Sequence, residues 1–321
     1  MLKKWLYVAI ALASFLFTTQ FAPTQAQTPP ETPSLEELAQ QSPGFQPDSL
    51  PASLEPYSDD DRVIIGEDDR APVLNRVYPY STIGRIDWRL ADGREAHQCT
   101  GTLIGRDLVL TNSHCLTHPL TDEVMGSRQY QAGRDRLIFK PNLIRGVAPV
   151  TATVVAYEYG WATRPQAAAE DWALLRLDEP VGDRMGYLGW ADVDLSDPEV
   201  LSAIAGKMIV AGYAGDFPTA KFRQFGNPGD TAGMHEACSI LEGVSRGEMN
   251  GILFHQCDTN PGSSGSAIIA ALNDGRYVIL GLHAGSNEFN RTMDLPTGER
   301  TRYINRGVQV NRWSMQAARM R

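Results

Sequence analysis

Three short patterns carry residue types able to do acyl-transfer chemistry, and they follow one another in the order His, Asp, Ser. Thr111-Asn112-Ser113-His114-Cys115 comes directly after the apolar run Leu108–Leu110. Asp171 stands at the mouth of a second run, Ala173–Leu177, and Gly262-Ser263-Ser264-Gly265-Ser266 is a small-residue loop opening into Ala267–Ile269. A serine hydroxyl is a weak nucleophile at neutral pH and needs an imidazole to take its proton as it attacks. The imidazole needs a carboxylate to fix its tautomer and stabilise the imidazolium that forms. Charge then develops on the attacked carbonyl oxygen, which needs preset donors. His114, Asp171 and Ser264 answer the first two needs. The backbone amides of Gly262 and Ser264 answer the third, with Gly262 permitting close backbone approach. Each pattern alone has a bland explanation as a packed histidine, a turn aspartate or a plain loop; the conjunction in this order points to nucleophilic catalysis. The reverse chain order and the Gly-x-Ser-x-Gly elbow of lipases and esterases are absent.

The elements around these patterns read as strands. Thr102–Ile104, Leu108–Thr111, Val150–Ala156, Ala173–Leu177, Met208–Gly212, Ser266–Ala271 and Tyr277–Leu282 are short apolar or β-branched runs separated by Gly, Pro, Asn and Asp. This punctuation predicts an all-β sandwich or barrel, with two barrels expected. Helical periodicity is scarce; the exception is the carboxyl end, where Val308, Val310, Trp313, Met315 and Ala317 predict a short amphipathic helix.

The chain of 321 residues has a formal net charge of −9, and a basic footprint for nucleic acid is lacking. Lys3 and Lys4, the apolar stretch Trp5–Phe17 and small residues near Thr24 and Ala26 read as an export signal over residues 1–26. Residues 27–62 are proline-rich and acidic, with few apolar side chains, which predicts a flexible segment ahead of a domain spanning 63–321. A removable prosegment and a simple linker both fit, and the chemistry downstream favours the prosegment. No later segment is apolar and long enough to span a bilayer as a helix, so no stable membrane association is expected. Cys99, Cys115, Cys238 and Cys257 make an even set in an exported chain, hence two disulfides with three possible pairings. Metal-ligand spacings are missing, and no metal or other cofactor is expected.

On these residues the chain from 63 to about 312 resembles the chymotrypsin-like serine peptidases, most closely the bacterial branch that contains the glutamyl endopeptidases. Val63-Ile64-Ile65-Gly66-Glu67-Asp68-Asp69-Arg70, Tyr78-Pro79-Tyr80, Cys99-Thr100-Gly101, Glu179–Tyr187, Gly212-Tyr213 and Asp258-Thr259 extend the likeness beyond the triad. The resemblance implies two six-stranded antiparallel barrels, about 63–190 and 191–305, with His114 and Asp171 on the first and Ser264 on the second. It implies a Cys99–Cys115 bridge, leaving Cys238–Cys257 as the other pair. It also implies hydrolysis of protein or peptide substrates; with the export signal, a zymogen secreted to the periplasm or the medium and acting as a monomer is expected. One departure is Ser263: the digestive branch has an aspartate there to capture a freed amino terminus. Cleavage after Arg62, freeing Val63, is the expected processing step.

For the side chain before the scissile bond, the resemblance places His283 on the pocket strand, with Thr259 and Ser286 as hydroxyl neighbours. That set suits a carboxylate, so cleavage after Glu or Asp is expected, with the histidine becoming protonated as the ligand binds. Asp258 is the rival, since a carboxylate on the pocket floor favours Arg or Lys, and an internal Asp258–His283 pair would weaken both specificities. A weakly active toxin or binding protein on the same fold is the other alternative. His97, His118, His235 and His255 take surface or packing roles.

Overall fold

In the chain's first described segment, Ser34 and Glu37 cap one another: Glu37 N–H donates to Ser34 Oγ, and Ser34 N–H to Glu37 Oε2. This Ser-x-x-Glu box starts helix α1 (Leu35–Ala39). The computed structural model describes residues 34–50, 68–121, 123–125, 135–294 and 300–321. The expected export signal, the Arg62–Val63 junction and residues 63–67 lie outside the described residues.

Strand β1 (Ala71–Pro72) leads to a closed antiparallel barrel of six strands. These are β2 (Ile83–Arg89), β3 (Glu95–Leu103), β4 (Leu108–Thr111), β5 (Arg136–Pro141), β6 (Ala152–Tyr159) and β7 (Ala173–Leu177), ordered β2-β3-β4-β7-β6-β5. The turn from β2 to β3 uses Asp92-Gly93, where Gly93 takes the positive φ of 86° that a tight hairpin requires. Strand β4 is buried at all four positions because β3 and β7 flank it and its side chains fill the barrel and its seam. Ile86, Trp88, Leu103, Val109, Phe139 and Leu175 form the centre of this core.

A one-turn helix α2 (Gly182–Met185) and β8 (Gly189–Trp190) cross to the second sheet. After helix α3 (Pro198–Ile204) come β9 (Met208–Gly212), β10 (Gly233–Cys238), β11 (Ile240–Gly243), β12 (Ile252–His255), β13 (Ala267–Ala271), β14 (Tyr277–Asp294) and β15 (Arg300–Gln309). The ladder runs β1-β10-β9-β13-β14-β15-β12-β11, with β8 beside β14. Its far members β10 and β11 are consecutive in the chain, separated by Ser239 alone, so a bent strand rather than a hydrogen-bonded ladder brings the sheet round on itself.

The carboxyl end forms helix α4 (Ser314–Met320), shorter than the periodicity predicts. Val308 belongs to β15 and Val310 to a 3-10 turn, while Trp313 and Ala317 pack one helical turn apart. Met315 is 67% exposed, because two residues past Trp313 the helix has already turned it away from the core.

Residues 34–50 depart from the expected flexible leader. Ala39 is buried in a cluster with Ile204, Leu272 and Val278. Phe45 and Tyr187 exchange two backbone hydrogen bonds of 2.7 and 2.8 Å. Ser42 O lies where a side chain on Gly189 would need to be, so the strap sits directly on β8. Arg276 donates to Glu36 O, and Arg321 to Pro43 O, fastening the strap at both ends. Few apolar side chains are needed when backbone pairing and two arginines supply the anchorage. Replacing Ala39 by Glu places an unpaired carboxylate in that cluster, at a cost of about 2 kcal/mol or more. The unfolding midpoint is expected to fall by roughly 4–8 °C in a thermal melt.

Candidate active site

Strand β4 ends in Thr111, and the next residues wind into a 3-10 turn, Ser113–Leu116, that presents His114 at the barrel's rim. The facing turn, Ala168–Glu170, delivers Asp171 just before β7. Two side chains bolt the turns together: Asn112 Nδ2 donates to Asp171 O (2.6 Å), and Ser113 Oγ lies 2.7 Å from Trp172 O and 3.1 Å from Glu170 O. Asp171 then holds His114 by both oxygens. Oδ1 accepts the His114 amide at 3.0 Å, and Oδ2 lies 2.8 Å from Nδ1. A neutral imidazole held this way carries its proton on Nδ1 and leaves Nε2 able to accept one. Asp171 is buried and the His114 side chain 32% exposed, so the pair is anchored in protein while the ring edge meets solvent.

Ser264 comes from the second sheet, on the turn before β13, and the first barrel reaches across to it. Thr100 N–H, on β3, donates to Ser264 O at 2.8 Å, and Thr100 Oγ1 donates to Gly262 O at 2.9 Å while accepting the Tyr213 amide at 2.9 Å. Gly265 has φ of +87°, and a side chain there would meet Thr100 O at 2.0 Å, so only glycine permits this approach. The Cys99–Cys115 disulfide ties the same stretch of β3 to the histidine turn. Among the described residues, the Gly262 and Ser264 amides have no backbone acceptor, whereas Ser263 N–H closes onto Asn260 O and Gly265 N–H onto His283 O. Two amides without a backbone acceptor are the kind of donor that could receive an oxyanion.

Behind this turn lies His283, buried on β14, with the equally buried His255 beside it. Cys257 N–H donates to His255 Nδ1 at 3.3 Å, so His255 carries its proton on Nε2 and donates it to His283 Nδ1 at 3.0 Å. His283 must therefore carry its own proton on Nε2. Burial holds both rings neutral and pushes His283 down to about 3, with His114 nearby adding to the effect. The ring thus presents a neutral N–H donor, and the protonation expected as a carboxylate binds would have to work against this burial.

The remaining pocket residues divide. Ser286 is exposed on β14 opposite Asn305, and Thr259 is half-buried on the facing span, which Asn305 Nδ2 ties down through Cys257 O at 2.7 Å. Asp258 turns to other partners: Oδ2 accepts Asp69 N–H at 2.8 Å and lies 3.3 Å from His235 Nδ1. The internal Asp258–His283 pair does not form; His283 pairs with His255 instead. Both implied disulfides, Cys99–Cys115 and Cys238–Cys257, are present.

His118 packs against Trp88 and Asp135, matching its packing role, while His255 exceeds its own. The signal for His255 was its place two residues before Cys257, but its partner lies 28 residues away and only the β12–β15–β14 ladder brings them together. Thr100 was likewise noticed only as part of a motif. Among the described residues, two clusters could approach an ion. In Cys99–His114–Cys115 the sulfurs are bonded to each other; in Asp69–His235–Asp258 the Asp258 amide donates to His235 Nδ1.

Residues 99–279 match the family described as trypsin-like peptidase domain. The glutamyl endopeptidase of Bacillus licheniformis is 25% identical over 238 residues, covering 74% of this chain and 66% of that protein. Serine protease 23 of Rattus norvegicus and of Homo sapiens is 24% identical over 226 residues, covering 64% of this chain and 50% of theirs. The chain therefore spans about half to two-thirds of the length of these relatives. A solved structure of a Glu endopeptidase in complex with MPD shares the fold, with a TM-score of 0.52 and 24% identity, covering 80% of this chain and all of that one.

Thr100→Val leaves Gly262 O and Tyr213 N–H without their partner and loosens the nucleophile turn. Labelling of Ser264 by an organophosphate is expected to slow on the order of 100-fold, read by mass spectrometry. The histidine pair gives a second expectation. Both rings are depressed in the folded state, so below the ordinary value of 6.5 the unfolded chain binds more protons than the folded one. Stability contributed by the pair is complete above that value and falls as pH drops from there toward about 3. Thermal melts across this range are expected to show a shallower decline for His255→Asn than for the parent.

Proposed function

The chain belongs to the trypsin-like peptidase family, and from that premise we propose that it is an exported serine endopeptidase that cleaves after Glu or Asp. The His114–Asp171 contact, made through both carboxylate oxygens, carries the catalytic part of this reading. Ser264 Oγ bonds to the scissile carbonyl carbon as its proton passes to His114 Nε2, while Asp171 stabilises the imidazolium. The Gly262 and Ser264 amides take up the charge on the carbonyl oxygen. His114 then gives the proton to the leaving amine, forming the acyl-enzyme. A water molecule, deprotonated by His114, attacks the acyl carbon and releases the acid product with Ser264 restored.

The specificity part rests on the relay Cys257 N–H to His255 to His283, which fixes a donor on His283 Nε2 for an entering carboxylate. Thr259 and Ser286 are its proposed hydroxyl neighbours. Asp258, held by Asp69 and His235, is poorly placed to receive a lysine or arginine, which weighs against trypsin-like cleavage. Two disulfides support an oxidising compartment, and export through residues 1–26 agrees with them. Residues 27–62 are read as the prosegment of a peptidase domain spanning 63–321, acting as a monomer on protein or peptide substrates.

Peptides presenting Glu, Asp, Arg, Lys or Phe before the scissile bond test the proposal. Cleavage is expected to favour Glu, to vanish in Ser264→Ala, and to lose roughly 10- to 100-fold of its Glu preference in His283→Ala, the worth of one charge-assisted hydrogen bond. A preference for Arg or Lys would return the pocket to Asp258. Failure of Ser264-dependent cleavage on every peptide would favour the binding-protein alternative.

A further inference from the structure

With serine at position 263, nothing in the nucleophile turn itself can form the charged anchor that an aspartate would offer there. Ser263 is buried and turned inward: its amide donates to Asn260 O at 2.9 Å, and its Oγ lies 3.5 Å from Asn260 N. The outer side of the turn is held by other means. Asn260 Nδ2 donates to Asp216 Oδ2, and Gly215 N–H donates to Pro261 O at 2.7 Å, directly before Gly262. Asp216 is gripped by the Arg70 guanidinium, Nη1 to Oδ1 at 3.0 Å and Nη2 to Oδ2 at 2.8 Å.

The same guanidinium holds Asp68 through Nε at 2.8 Å and Nη2 at 2.9 Å, and lies 5.2 Å from the centroid of the Phe217 ring. Its side chain is 6% exposed, against 40% and 43% for the two carboxylates, so a buried cation organises two anions at the surface. Next to it, Asp69 N–H takes Asp258 Oδ2. Residues 68–70 thus hold both arms of the span 258–261.

We infer that Arg70 is a positioning residue for the nucleophile turn, acting through Asp216 and Asn260 to set the backbone that leads into Gly262 and Ser264. The inference rests on the reading of Ser264 as nucleophile. Only a planar fork can meet two carboxylates from separate segments in one plane; a lysine, as a point charge, cannot reproduce it. The Arg70 hydrogen bonds hold both Asp68 and Asp216 below the usual carboxylate range, in keeping with a permanently charged cluster.

The test compares Arg70→Gln, Arg70→Lys and Asp216→Asn with the parent protein, reading kcat and KM on the preferred peptide, the rate of organophosphate labelling and the thermal midpoint. Both Arg70 variants and Asp216→Asn are expected to lower kcat and labelling on the order of 10- to 100-fold while KM changes little. In a fourth variant, Arg70→Ala, millimolar methylguanidinium is expected to restore labelling, and it is expected to leave Arg70→Lys unchanged. A lowered midpoint with full labelling and kcat would reduce Arg70 to a structural ion pair and overturn the inference. Asp216→Asn breaks the link from the exposed side, so it reports even if the Arg70 variants fail to fold. Hydrogen exchange at the Ser263 and Gly215 amides, measured in Ser264→Ala, separates this inference from the nucleophile reading. Faster exchange on adding Arg70→Gln supports positioning whether or not the parent cleaves peptides, and unchanged exchange overturns it.

Discussion

Thr100 is the contact by which the first barrel reaches the Ser264 turn of the second sheet. Its amide and hydroxyl reach from the first barrel to the carbonyls of Ser264 and Gly262, and the hydroxyl also receives Tyr213. Residues drawn from two sheets, as His114, Asp171 and Ser264 are, have no local means of setting their mutual geometry. Positions a few tenths of an ångström apart matter to proton transfer, and only a short, directional contact fixes them. Gly265 follows from the same constraint, since any side chain there would separate the sheets at the place where they must touch.

Electrostatics around the site divides by depth. Deep in the second sheet His255 and His283 stay neutral because burial and the neighbouring basic groups both disfavour the imidazolium, and they pass a single tautomeric choice from the Cys257 amide to His283 Nε2. Near the surface, charge is retained and paired: Arg70 with Asp68 and Asp216, and Asp258 with the Asp69 amide. Polar hydrogen bonding orients His255 and His283, whereas ion pairs hold the neighbouring loops.

The parts legible in the sequence were those written within a few neighbouring residues. His114, Asp171 and Ser264 each sit beside an apolar run, and the runs Met208–Gly212 and Ala173–Leu177 reappear as β9 and β7 with the same ends. What depended on distant partners was not legible. Strand β14 continues to Asp294 because β15 pairs with it beyond Gly285, although its residues there are mostly polar and its register shifts. The strap over residues 34–50 looked unstructured because its anchorage comes from backbone groups and from Arg276 and Arg321, far along the chain. His255 looked like any packed histidine until the ladder set it beside His283, and Asp258 looked like a pocket floor until Asp69 claimed its carboxylate.

Each disulfide lies beside a different working part. Cys99–Cys115 joins the strand bearing Thr100 to the turn bearing His114, and Cys238–Cys257 anchors the residue whose amide sets the histidine relay. In redox terms the molecule has two separate dependencies: losing one bond would loosen the His114 turn and its link to Thr100, losing the other would free the Cys257 span that fixes His255. A thiol-rich compartment would therefore disable it piecemeal, and its competence is bound to surroundings that keep both cystines oxidised.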